Sequence, residues 1–352
     1  MTIIFAILIF SFLIFIHEFG HFITAKLSGV QVNEFSMFMG PVIWKKQVGE
    51  TLYSIRCIPI GGFCAMEGED SETDNPRSFQ KAAWWKRLII LVAGAFMNFL
   101  AGLLILAIVY APSEAYVAPV INAFQDYATV DDYGLQIGDR FVEIDGEKVL
   151  LMNDVNLLLM LNEGDYHDIV VERNGQLITF DHFFLERHEV PREDGGSDML
   201  CGFSYGETVK FTFGSKLQYI WYTAVDWVRT VFWSLEMLVT GKAGLKDMSG
   251  PVGIVQQMGQ VADSAGSVGD AVMNLLYFGA FIAVNLAVMN LLPIPALDGG
   301  RVVALLLTTG IEAITRKKIN PKYEGYIHAA GMILLLLLMA VVMFKDILFL
   351  FK

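Results

Sequence analysis

Four apolar runs punctuate the chain, at about residues 3–16, 88–110, 271–297 and 327–351. A helix needs roughly 20 residues to cross the hydrocarbon core of a bilayer. The pattern therefore predicts four spanning helices: 1–27, 88–110, 269–310 with an interruption, and 326–351. Residues 28–87 behave differently. They alternate loosely from Val30 to Phe38 and again from Thr51 to Arg56, then meet Pro59-Ile60-Gly61-Gly62, where the run should break. This predicts a short sheet close to the membrane. Residues 115–190 combine period-two alternation with the turn pairs Asp145-Gly146 and Asn174-Gly175, and a helix over Asn153 to Leu161, which predicts a small β domain. Residues 191–268 read as a charged, Gly-containing linker followed by an amphipathic helix over 215–240. That helix mixes Trp221, Trp227 and Trp233 with Lys216, Asp226, Arg229 and Glu236, and is too polar for a span. A short loop, 311–325, joins the last two runs.

Composition supports this reading. The 352 residues are 55 % hydrophobic and 18 % charged, with a mean hydropathy of +0.51, unlike an ordinary soluble domain. The first run lacks a basic leader and a small-residue cleavage site, so it is expected to be retained. Cys57, Cys64 and Cys201 suggest no disulfide framework. The net charge of −12 is unevenly spread. Lys26, Lys45, Lys46, Arg56, Arg77, Lys81, Lys86 and Arg87 crowd between the first two runs, and Arg316, Lys317, Lys318 and Lys322 lie between the last two, whereas 111–268 is predominantly acidic. Short basic loops mark the cytoplasmic side. The N-terminus, 111–268 and the C-terminus should be outside, and 24–87 and 311–325 inside. The lipid bilayer is the expected environment, and no nucleic-acid partner is expected.

Chemistry enters where the first run ends, in His17-Glu18-Phe19-Gly20-His21. Histidines four apart share a helix face and can hold one zinc ion, and the glutamate between them can serve as general base. His17 follows fourteen uncharged positions, about 21 Å of helix, so both imidazoles should lie below the lipid surface, where ionisable groups are costly unless liganded or paired. Catalytic zinc usually takes three protein ligands. The first and third runs both travel inward, so their far ends reach similar depth. Asp298 sits there, just beyond the helix-breaking Pro293 and Pro295, and is the expected third ligand, with Glu312 as the alternative. Asn98, a single amide in the second run, is either a helix–helix hydrogen bond or a donor facing the metal, and Asn290 is a second candidate donor for an oxyanion. The spacing of His167, His182 and His188 makes no site, and His328 reads as packing or interfacial. A zinc transporter or metal-gated pore would use the same ligands, and an inactive scaffold would retain them. Only hydrolysis requires a glutamate between the histidines. A metal site within lipid implies a transmembrane helix as peptide substrate, locally unwound and paired with the strand-like segment 51–63.

These residues together resemble the site-2 proteases, and especially the four-span bacterial regulator-of-sigma-factor zinc metalloproteases. The resemblance rests on Phe15-Ile16-His17-Glu18-Phe19-Gly20-His21-Phe22, on Ile58-Pro59-Ile60-Gly61-Gly62-Phe63, and on Asn290-Leu291-Leu292-Pro293-Ile294-Pro295-Ala296-Leu297-Asp298-Gly299-Gly300. It implies zinc on His17, His21 and Asp298, Glu18 as base, and Asn98 and Asn290 in substrate handling. Gly134-Leu135-Gln136-Ile137-Gly138-Asp139-Arg140 resembles part of a PDZ domain. The implied fold is a polytopic α-helical membrane protein with four transmembrane helices, a cytoplasmic-side membrane-associated β-hairpin region and one extracytoplasmic PDZ-like domain, in a bacterial plasma membrane. The implied substrates are single-span proteins of the anti-sigma-factor or remnant-signal-peptide type, first trimmed by an upstream site-1-type protease. Two departures from the family pattern, Ala95 where a proline is common and Cys64-Ala65-Met66-Glu67 where a lysine is common, leave the ligands untouched.

Overall fold

The computed structural model describes residues 2–69, 73–125, 134–162, 164–191, 197–244, 248–316 and 322–350. Lys317 and Lys318 of the loop before the last run, and the charged run 192–196, lie outside the described residues. The chain divides into two compact units, residues 110–226 and the remainder.

The larger unit holds the membrane helices. These are α1 (Thr2–Ser28), α2 (Trp84–Tyr110), α6 (Val268–Leu291) and α8 (Lys322–Leu350). Among the described residues, four helical segments are long and apolar enough to span: Ile3–Ser28, Trp84–Tyr110, Val268–Leu291 and Gly325–Asp346. The protein is a multi-pass membrane protein. α6 stops at Leu291, and α7 (Asp298–Thr315) restarts after the proline-containing bend. The prolines explain the stop, since each removes a donor and clashes with the preceding turn. Leu13 of α1, Ala101 of α2 and Ile282 and Ala283 of α6 form one shared core. A shorter helix, α5 (Pro251–Asp263), packs Met258 against Ala6 of α1 and Leu275 of α6. Its first turn is tied to α8, because Asp346 Oδ2 accepts from the backbone N–H groups of Gly250 and Gly253 at 2.9 and 3.0 Å.

Between α1 and α2 lie β1 (Val32–Val48) and β2 (Thr51–Met66). Both strands bend. Residues Glu34 to Met37 pair with Leu52 to Ile55 on one edge and with Ala65 to Gly62 on the other, while Val42 to Val48 pair back to Arg56 to Thr51. The sequence-based break at Pro59–Gly62 is corrected. β2 bulges there instead of ending, with residues 59–61 passing between the Met39–Ile58 and Met37–Gly62 pairs. Pro59 has no N–H to donate, and Gly61 takes φ +77°, so the strand turns without losing its continuation. Phe15, Phe19 and Phe22 along α1 pack against Phe35 and Tyr53 of this sheet.

The smaller unit contains β3 (Ala115–Phe124), β4 (Arg140–Ile144), β5 (Glu147–Lys148), α3 (Met152–Leu161), β6 (Tyr166–Arg173), β7 (Gln176–Phe184), β8 (His188–Pro191), β9 (Ser197–Leu200) and β10 (Phe203–Lys210). An open sheet runs in the order β10-β3-β4-β6-β7, with β5 paired to β4 and a separate β8–β9 pair. Asp145-Gly146 and Asn174-Gly175 take positive φ at both positions, as their two-residue turns require. One expectation is corrected. The sheet does not close at residue 190, because Phe203–Lys210, read as linker, pairs along β3. The alternation through Tyr205, Glu207, Thr208 and Val209 is strand-like, but the charged run before it suggested that the domain had ended. α4 (Phe213–Thr240) follows, a helix over the residues where one was expected, and is not one of the four spanning segments.

Candidate metal centre

α1 is helical because its first turns are an uninterrupted series of apolar residues with no proline, and helical spacing then places His17 and His21 one turn apart. Their rings meet edge to face with centroids 4.8 Å apart. Asp298 reaches them from the first turn of α7. Its Oδ2 lies 3.1 Å from His17 Nε2 and 3.3 Å from His21 Nε2, and the two Nε2 atoms are 3.2 Å apart. The bend that delivers Asp298 is tight. Gly299 lies flat against the carbonyls of Leu291 and Leu292, and a Cβ on Gly300 would stand 2.8 Å from the carbonyl carbon of Ile294.

The donor set fits zinc. Four ligand atoms about 2.0–2.1 Å from a zinc ion at tetrahedral angles stand about 3.3 Å from one another, close to the three separations observed. The protonation pattern agrees. His21 Nδ1 donates to the backbone carbonyl of Ile90 at 2.8 Å. A neutral His21 that donates there presents a bare Nε2 to an anionic carboxylate oxygen, an arrangement that calls for a cation. The described residues contain one such cluster, and it is His17, His21 and Asp298. Glu312 is not part of it. It lies fourteen residues beyond Asp298 along α7, about 21 Å of helix.

The other sequence candidates surround this cluster. Asn98 of α2 and Asn290 at the end of α6 each place Nδ2 3.4 Å from His17 Nδ1. Asn98 is buried, and its Oδ1 has no partner among the described residues. Glu18 lines a cleft between α1 and the sheet, with Ser11, Phe35, Phe38, Gly61 and Gly62. The backbone N–H of Cys64 faces its carboxylate. Two contributors were not evident from side-chain chemistry. The Ile90 carbonyl is a backbone group with no residue signature. Gly94 has no side chain to mark it, yet a Cβ on it would stand 2.7 Å from His17 Cε1 and 2.8 Å from His17 Nε2, and would also strike His21 Nε2. Beyond the site, Arg301 of α7 pairs with Glu69, which follows the sheet.

A spanning-helix bundle with a largely buried two-histidine, one-carboxylate cluster and a glutamate beside the first histidine defines a membrane-embedded zinc metalloprotease. Comparison with known proteins agrees. The profile of Peptidase family M50 matches residues 5–338, and the chain belongs to that family. A protein of Clostridium perfringens named as a zinc metalloprotease is 37 % identical, with 99 % of each chain covered. One of the same description from Clostridium acetobutylicum is 37 % identical, covering 99 % of this chain and 98 % of its own. The regulator of sigma-W protease RasP of Bacillus subtilis is 29 % identical, covering 98 % of both chains. The chain is a site-2-protease-like intramembrane enzyme.

Proposed function

We propose that this enzyme cuts a peptide bond within the transmembrane helix of a previously trimmed single-span protein, of the anti-sigma-factor or remnant-signal-peptide type. The carrying observation is the convergence of His17 Nε2 and His21 Nε2 of α1 with Asp298 Oδ2 of α7, and Glu18 on the same helix as the histidines. The sigma-W regulator among the relatives supports the substrate class.

His17, His21 and Asp298 hold the metal. Zinc, when bound there, acidifies water and polarises a carbonyl. Glu18 accepts the proton as water attacks and returns it to the departing amine. The amides of Asn98 and Asn290, which stand beside His17, donate to the oxyanion developing on the substrate carbonyl. The substrate helix must unwind to expose that carbonyl. The bulged stretch of β2 around Gly61 and Gly62 lies along the same cleft as Glu18, which suits an extended substrate adding to the sheet edge. The basic inner segments put this site toward the cytoplasmic side of a bacterial plasma membrane. Residues 110–226 then form an extracytoplasmic, PDZ-like domain that admits substrates already shortened by an upstream site-1-type protease.

The test uses purified protein in liposomes with a shortened single-span substrate. Wild type should cleave it, chelation should stop cleavage, and added zinc should restore it. Glu18→Gln should keep one zinc per chain and lose cleavage by at least about 100-fold. Zinc bound and carried across the vesicle without cleavage by wild type would overturn the protease reading in favour of transport.

A further inference from the structure

The bend between α6 and α7 delivers Asp298, and one of its residues is held by a distant helix. Ala296 has φ +85°, in the left-handed region that a non-glycine residue adopts only under constraint. Its N–H donates to Nδ1 of His328 on α8 at 3.1 Å. One turn along α8, Gly331 lies against the preceding residue of the same bend, where a Cβ would stand 2.7 Å from the carbonyl carbon of Pro295. α8 therefore grips two consecutive residues just before Asp298. An unpaired N–H among membrane helices is costly, so this bond fixes the peptide plane of Ala296. An imidazole nitrogen accepts only when it carries no proton, so His328 is neutral, with its proton on Nε2.

We propose that His328 is a positioning residue of the metal centre. By accepting from Ala296 it holds the bend in the one conformation that aims Asp298 at His17 and His21. Only Leu297 separates Ala296 from Asp298, so a rotation of the Ala296 peptide passes to the carboxylate with little slack. The fourth span thereby becomes part of the zinc site although, among the described residues, none of its side chains belongs to the cluster. The inference rests on the reading of Asp298 as a metal ligand.

The test is zinc affinity of the full-length protein in detergent, measured by competition with a fluorescent chelator, alongside thermal unfolding of the zinc-free forms. His328→Leu should bind zinc about tenfold more weakly, the lower range for loss of an outer-shell partner. His328→Asn, whose Oδ1 occupies nearly the position of Nδ1, should recover most of that loss. His328→Gln, whose carbonyl lies one bond further out, should not. Wild-type affinity in His328→Leu overturns the proposal, and so does equal weakness in the Asn and Gln variants. If His328→Leu does not fold, the Asn–Gln pair decides alone. Asp298→Asn separates the two levels. Unchanged zinc affinity there removes the ligand reading itself, whereas loss there with no loss at His328 removes only the positioning role.

Discussion

Replacing Gly94 by alanine adds one methyl group at the worst place in the molecule for a metal site. The new Cβ would stand 2.7 and 2.8 Å from ring atoms of His17 and would strike His21 Nε2. Relaxed contacts need about 3.5 Å, so α2 must retreat from α1 by at least about 0.7 Å or the rings must turn. The rings are not free to turn, because His21 is tied through Nδ1 to Ile90, one helical turn earlier on the same α2. A retreat of α2 therefore stretches that 2.8 Å bond toward about 3.5 Å, where it ceases to orient the ring. Metal sites tolerate errors of about 0.2 Å in ligand position, so the displacement exceeds the tolerance more than threefold. Loss of an outer-shell partner alone costs about 10–100-fold in metal affinity. With the ligands displaced as well, Gly94→Ala should weaken zinc binding by at least about 100-fold.

The assay is chelator competition on purified protein, with total metal counted by mass spectrometry. The control is Gly102→Ala, two turns along the same helix. Its Cβ would stand 2.8 Å from a methyl carbon of Val284, the end of a side chain rather than a ligand. Overpacking there should cost about 1–3 kcal/mol of stability and leave zinc affinity within about twofold. Wild-type zinc affinity in Gly94→Ala would refute the reasoning. Equal loss of zinc in both variants would show that helix packing in general, and not this contact, governs the site.

Two further outcomes are expected. Glu50, at the tip of the β1–β2 hairpin, accepts from Arg77 at 2.5 and 3.0 Å and from Lys26 at 2.6 Å, and these bonds hold its carboxyl down to about 2. A depressed carboxyl stabilises the fold above its unfolded value of about 4.3 and loses that contribution as pH falls toward the folded value. The Tm difference between zinc-free wild type and Glu50→Gln should persist from pH 7 to 5 and close between about pH 4.5 and 2, and a gap constant across that range would contradict it. The second outcome concerns orientation. Cys57 is exposed whereas Cys64 is buried, and burial pushes the Cys64 thiol up. In a Cys201→Ser background, an impermeant maleimide should label Cys57 only from the cytoplasmic face, and labelling from the opposite face would invert the topology.

Legibility in the sequence tracks the range of the interaction involved. The histidine pair was readable because helical spacing is local, and the break before Asp298 because Pro293 and Pro295 announce it. Placing Asp298 with the histidines needed only the inference that two spans run in the same direction. The strands of the smaller unit were readable wherever a turn pair bounded them. β10 was not, because its partner is β3, some eighty residues away, and nothing local marks the pairing. The same limit explains the site's supports. Gly94 looks like any small residue in a spanning helix until the opposite helix is known to carry imidazoles at that level. Ile90 contributes a carbonyl that every residue possesses. Asp298 is legible as a carboxylate, but its aim depends on glycines lying flat against distant carbonyls and on an imidazole from the last span. The ligand identities therefore belong to short motifs, whereas the ligand geometry belongs to the packing of α1, α2, α7 and α8. Mutations at Gly94 and His328 should accordingly damage zinc binding while leaving every recognisable motif intact.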